Sequence, residues 1–193
     1  MTYSRRYWLQ CAALSSVVGW LAGLPAARAA QAPNPRILVV FYSRQGHTAK
    51  AAEAVVQAAG GRLWEIETDP PYPKDYSGTV EAKKKDEEAG TLPHIAAASK
   101  LPDLSGYDFI FIGSPIWSGD LAYAVKSWLA ETDLSNKKVA LFVTHQGSGL
   151  AKAQESLQAL APKSQFASPL AIYWPASGLA GTVGDWVQQV LAR

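Results

Sequence analysis

The sequence predicts an open, parallel α/β sheet with helices packed on both of its faces. Two observations lead there. From residue 37 to the end, short apolar runs alternate with stretches of helical character. The first run, Ile37-Leu38-Val39-Val40-Phe41-Tyr42, is apolar throughout, as expected of a strand covered on both faces rather than one. The chain has 193 residues, 48% hydrophobic and 18% charged, which is enough for one substantial core and too apolar for a disordered chain.

Taken in order, Ile37–Tyr42 is the first strand. Residues 48–59 are Ala-rich and read as a helix, which Gly60-Gly61 ends. Leu63-Trp64-Glu65-Ile66 is a second strand, polar enough for a sheet edge. Residues 67–107 are too long for a bare connection. Within them Asp69-Pro70-Pro71-Tyr72-Pro73 is extended, Ser77 to Ala89 reads as an exposed helix covering the sheet, ended by Gly90 and Pro93, and Tyr72 and Tyr76 could reach a ligand's edge or a partner. Phe109–Ile112 is a third strand. Leu121 to Ala130 is a helix with Leu121, Val125, Trp128 and Leu129 at helical spacing. Val139–Val143 is the fourth strand, Leu150–Leu160 a helix ended by Pro162, Leu170–Tyr173 the fifth strand and Val183–Leu191 the closing helix.

Residues 1–29 read as an export signal. Arg5 and Arg6 precede an apolar run from Cys11 to Leu24, then Pro25 and the small-residue pattern Ala27-Arg28-Ala29 before Ala30. Ser4-Arg5-Arg6-Tyr7-Trp8-Leu9 resembles the twin-arginine motif, which directs folded proteins across the membrane. The competing reading is an uncleaved anchor, for which the apolar run is short. Cleavage predicts a periplasmic protein with a linker at 30–35, a single domain at 36–193, no stable membrane span and no cysteine, since Cys11 is the only one. The formal charge of +2 includes Arg5, Arg6 and Arg28, and residues 1–29 hold no acid. The remainder is net negative by one, which excludes a large basic surface for nucleic acid.

Sheets of this kind bind ligands at the carboxyl ends of their strands, where strand order reverses. The segments after strands one, three and four are rich in Gly, Ser, Thr, His and Trp. Ser43-Arg44-Gln45-Gly46-His47-Thr48 opens a helix, whose first N–H groups together with the two hydroxyls suit a phosphate. An ordinary Ser or Thr helix cap is the alternative. Neither the nucleotide-triphosphate loop nor the dinucleotide glycine fingerprint is present. Ser43 and Ser114 stand where a phosphoaspartate receiver needs Asp. In Gly113-Ser114-Pro115-Ile116-Trp117-Ser118-Gly119, Trp117 is expected exposed at a loop tip, ready to stack on a flat ligand. Folding down onto the following helix is its alternative. Thr144-His145-Gln146-Gly147-Ser148-Gly149 offers short polar side chains and free N–H groups to the edge of a ring. Ser148 with His145 or His47 lacks both a nucleophile elbow and an orienting acid, which argues against a hydrolase. No metal site is expected.

Ser43-x-x-Gly46-x-Thr48, then Gly-Ser-Pro-Ile-Trp, then Thr-His-x-Gly-Ser-Gly, in this order and spacing, resemble the flavodoxin family, closest to its bacterial type 4 branch, over about residues 36–192. The resemblance implies a three-layer sandwich around a five-stranded sheet of order 2-1-3-4-5. It also implies FMN as cofactor, with the phosphate held by Ser43, Arg44, Gln45, Gly46, His47 and Thr48. The ring would be held by Ser114, Pro115, Ile116, Trp117, Ser118 and Gly119 and by Thr144, His145, Gly147, Ser148 and Gly149, with His145 a possible catalytic group. Its partner would be a redox protein or a small acceptor. The sequence departs from dedicated one-electron carriers of the family, which place a Tyr in the third loop and crowd acids around the ring. Here that loop has His145, and the nearest acid to the second loop is Asp120. Less charge repulsion against a reduced, anionic flavin implies a less negative potential. An enzyme reducing a quinone-like acceptor and a non-redox phosphate-binding module remain alternatives.

Overall fold

The computed structural model describes residues 36–99 and 103–192. The export signal and linker therefore lie outside the described residues. Strand β1 (Ile37–Phe41) is buried at every position. It pairs in parallel with β2 (Arg62–Glu65) on one side and β3 (Phe109–Trp117) on the other. β3 pairs in parallel with β5 (Lys138–His145). On the far side of β5 lie β6 (Gln165–Phe166) and β7 (Leu170–Tyr173). The sheet has the expected order, but its fifth strand is split. Val139 faces Phe166 while Phe142 faces Leu170, so one extra residue is inserted between the halves, as in a bulge. Pro169, which has no N–H to give to a ladder, stands at the break. β2 is mostly exposed, consistent with its edge position.

Alternating side chains along the strands divide the core in two. Val39, Phe41, Phe109, Phe111 and Phe142 face helices α1 (His47–Ala59) and α5 (Leu179–Leu191), meeting Ala51, Val55, Val183, Trp186 and Val187. Leu38, Val40, Ile110, Ile112, Leu141 and Val143 face α3 (Tyr123–Ala130) and α4 (Ala153–Leu160), meeting Val125, Trp128, Leu129 and Leu157. A continuous apolar strand is what serving two cores requires. Helix α2 (Tyr76–Ala89) is N-capped by Asp75, whose carboxylate accepts the Gly78 N–H at 2.7 Å. It buries only Thr79 and carries Glu81, Lys84, Lys85 and Glu88 outward in i,i+4 pairs.

Several boundaries differ from expectation: α5 starts at Leu179 rather than Val183, and the changes at β3, α3, β5 and α4 concern the rim. β3 continues for five residues beyond Ile112, then doubles back as β4 (Asp120–Leu121), with Ile116 opposite Leu121 and Trp117 opposite Asp120. Ser118 (φ 49°) and Gly119 (φ 78°) form the two-residue turn, both left-handed as a tight hairpin demands. Leu121 thus belongs to a strand, and α3 begins at Tyr123. β5 likewise runs on through Thr144 and His145, and α4 starts at Ala153 rather than Leu150. Among the described residues, no helix is long and apolar enough to cross a membrane, and no cluster of His, Asp, Glu or Cys is arranged to hold a metal.

Candidate functional site

The carboxyl ends of β1, β3, β5 and β7 surround a cavity of about 440 Å3, within the range of small-ligand sites. Its floor begins where β1 gives way to α1. Gly46, at φ 82°, is the N-cap of that helix and supplies no side chain to its first turn. The free N–H groups of that turn are therefore left to whatever lies in front of them. The reading of Ser43 or Thr48 as a helix cap is thereby corrected, because neither side chain takes that role. The Ser43 hydroxyl oxygen is buried and has no hydrogen-bond partner in the protein. Thr48, 1% exposed, shares a hydrogen bond of 2.8 Å with Thr144 across the cavity floor. Two hydroxyls that share one bond keep one hydrogen for a further acceptor.

The walls are aromatic and cationic. His47 stacks on Trp174 at 4.6 Å with 20° between the rings, and the Lys50 ammonium lies 5.9 Å from the Trp174 ring centre. Burial pushes the His47 pKa below 6.5, and the charges of Lys50 and Arg44 push it the same way. Arg44 reaches across to α2, donating to the Asp75 carbonyl and to the Thr79 hydroxyl, with its guanidinium over Tyr76. Trp117 is half-buried rather than exposed at a loop tip. Its ring stands nearly perpendicular to those of Tyr42 and Tyr72, with ring centres 5.6 and 5.1 Å away. These contacts fix its orientation while leaving it on the cavity wall. Burial raises the Tyr42 hydroxyl to about 12 and raises Tyr72 further, helped by its bond to Asp86, so both stay neutral.

The third loop is organised differently from its sequence reading. The N–H groups of Gly147 and Gly149 are not free. Both donate to His145 Nδ1, each at 3.1 Å. Gly147, Ser148 and Gly149 do not line the cavity, whereas Thr144, His145 and Gln146 do. Because Nδ1 accepts these bonds, the neutral ring carries its proton on Nε2. Ser114 is also turned away from the cavity. Fully buried, it accepts the Ala122 N–H at 3.0 Å and donates to the Pro115 carbonyl, tying β3 to the start of α3. Pro115, Ile116, Trp117 and Ser118 line the cavity, and Gly119 serves the hairpin turn. Of the first loop, Ser43, Arg44, Gln45, His47 and Thr48 line it.

Sequence reasoning missed most of one wall, offering only Tyr76 of it. Helix α2, read as a solvated cover, contributes Tyr76, Thr79, Val80 and Lys83, and Trp174 closes the side after β7. A signal for α2 was available, since Tyr76, Thr79, Val80 and Lys83 recur at helical spacing. Trp174 lies just past the carboxyl end of the fifth strand, at the same rim as the other loops. No carboxylate lines the cavity among the described residues. Asp120, the nearest acid to the second loop in sequence, is turned to Lys126 (2.6 Å) and Ser156 (2.9 Å). Burial alone would raise its pKa. Those hydrogen bonds outweigh burial and hold it below the ordinary value.

Comparison with known proteins agrees with this fold. A protein of Bacteroides uniformis described as a flavoprotein shares 27% identity, with TM-score 0.68 over 81% of this chain and 99% of its own. Another, from Bacteroides eggerthii, shares 25%, with TM-score 0.71 over 83% and 100%. The Lactobacillus acidophilus flavoprotein in complex with FMN has the same fold at 23% identity, with TM-score 0.65 over 79% and 98%. The model of a family described as Flavodoxin matches residues 36–189, almost all of the described chain. This chain belongs to the flavodoxin family.

Proposed function

We propose that this protein is an exported flavodoxin that holds FMN at the strand-end cavity and passes electrons to a partner. The observation that carries the cofactor assignment is the buried, partnerless Ser43 hydroxyl beside an uncapped helix N-terminus. A buried hydroxyl without a partner costs about 1–3 kcal/mol. A phosphate would satisfy it together with the first-turn N–H groups and the spare hydroxyl hydrogen of the Thr48–Thr144 pair. Arg44 would add charge at that end, and Trp117, Tyr76 and Trp174 would wall a flat ring. A cavity of about 440 Å3 with these donors at one end and aromatic faces elsewhere fits a phosphorylated ring compound.

FMN, when bound, supplies the redox chemistry, taking up and releasing electrons singly or in pairs. The protein binds and orients it, and the buried floor of Thr48 and Thr144 keeps water from that side. No side chain is required as acid or base for electron transfer. His145, with its Nε2–H at the cavity wall, supports a second reading, because it offers a donor to a small acceptor such as a quinone. The absence of acids from the wall supports a potential less negative than that of a dedicated low-potential carrier.

The export assignment rests on residues 1–29, with 30–35 as linker and 36–193 as the working domain. Export weighs against NAD(P)H as the electron donor, because that pool is cytoplasmic. Purified protein should show flavin absorbance, or acquire it when FMN is added. No flavin signal in either case contradicts the proposal. Turnover of a quinone with a chemical reductant separates enzyme from carrier.

A further inference from the structure

Of the two formal side-chain cations on the cavity wall, Arg44 is engaged at the N-terminal end of α2, with Asp75 and Thr79. Lys83 stands one helical turn beyond Thr79. Its side chain is only 15% exposed, an unusual place for an ammonium. It donates to Glu87 at 2.6 Å and lies 5.6 Å from the centre of the Tyr123 ring, while the Tyr123 hydroxyl donates to the same Glu87 oxygen. Tyr123 opens α3 directly after β4, whose Asp120 pairs with Trp117. Lys83 is thereby held toward the hairpin that carries Trp117, one helical turn beyond the Thr79 that Arg44 engages. Glu87 is 44% exposed and does not line the cavity, so water screens its charge more than that of Lys83. Glu87 occupies one of the three ammonium donors, which leaves two on a side chain that lines the cavity. The second nearby cation, Lys126, is spent on Asp120.

We propose that Lys83 is a potential-setting residue, which favours negative charge on the ring end of the ligand. The inference rests on the FMN reading above. Two electrons and one proton leave reduced flavin with one negative charge. An ammonium in a poorly solvated wall lowers the energy of that form and leaves neutral oxidised flavin nearly unaffected. The consequence is tighter binding of reduced than of oxidised FMN, the opposite of an acid-lined site.

The test is a redox titration of the FMN-loaded protein with a viologen dye as electron donor, comparing wild type with Lys83→Gln, Lys83→Arg and Glu87→Gln. In Lys83→Gln the ratio of affinities for reduced over oxidised FMN falls about tenfold, which is about 30 mV in a two-electron midpoint. Lys83→Arg keeps the wild-type ratio. Glu87→Gln, which leaves Lys83 in place and removes the competing anion, raises it. An unchanged ratio in Lys83→Gln and Glu87→Gln overturns the proposal, as does a fall in Lys83→Arg equal to that in Lys83→Gln. If wild-type protein takes up no FMN, the parent reading fails and this one with it. Uptake with unmoved midpoints sinks this one alone.

Discussion

Replacing Gly113 with alanine should destabilise the protein by about 3 kcal/mol, from a single added methyl group. Gly113 lies in β3 between two phenylalanines, paired with Phe41 of β1 on one side and Phe142 of β5 on the other. A Cβ there would stand 2.3 Å from Phe142 Cζ, 2.6 Å from its Cε2 and 2.8 Å from Phe41 Cβ. Neither ring can yield cheaply, because Phe142 is fully buried and Phe41 is 3% exposed. Phe142 also packs edge-on against Trp186 of α5, so moving it disturbs a helix as well. The backbone at Gly113 has no positive φ, and the effect is one of volume alone. Urea unfolding should show a lower midpoint with an unchanged slope. A loss below about 1 kcal/mol would show that the core between β1 and β5 can relax around the methyl group. Because Gly113 precedes the hairpin that carries Trp117, FMN affinity should fall with stability.

Ser43→Ala should act in the opposite pattern. In the free protein the hydroxyl oxygen is buried without a partner, so its removal leaves stability unchanged or raises it slightly. In the complex, a hydrogen bond to a phosphate dianion is lost, which costs about 1.5–3 kcal/mol, or roughly 10- to 150-fold in Kd. Thermal unfolding of the free protein and fluorescence titration with FMN measure the two effects separately. Lower stability with unchanged affinity would make Ser43 a structural residue and remove the main support for the phosphate site. Thr48 is a poorer probe, because its loss strands the Thr144 hydroxyl and perturbs the fold and the site together.

The fold was largely legible because burial on both faces leaves a strong mark. β1, β3 and β5 each carry apolar runs that no single-faced strand needs. What the sequence did not reveal follows from turn geometry and side-chain contacts that residue type alone does not show. The extension of β3 to Trp117 depends on a two-residue turn at Ser118-Gly119, a hairpin signal hidden among other loop residues. Trp117 reads as exposed when judged by its polar neighbours in sequence, but Tyr42 and Tyr72 from elsewhere in the chain pack perpendicular to it. The N–H groups of Gly147 and Gly149 look available until His145, a few residues earlier, folds over to accept both. Helix α2 has few apolar residues, so its pattern reads as solvated. Its cavity face mixes Tyr76 and Val80 with Thr79 and Lys83, too little apolar surface to mark a buried face.

The most direct test compares FMN with riboflavin, which is the same ring without the phosphate. Titrated into the free protein, FMN should bind on the order of 100-fold or more tightly, since the α1 N–H groups and the Ser43 hydroxyl have no other charge to hold. Equal affinities for the two ligands would contradict the assignment of the Ser43–Thr48 loop as a phosphate cradle.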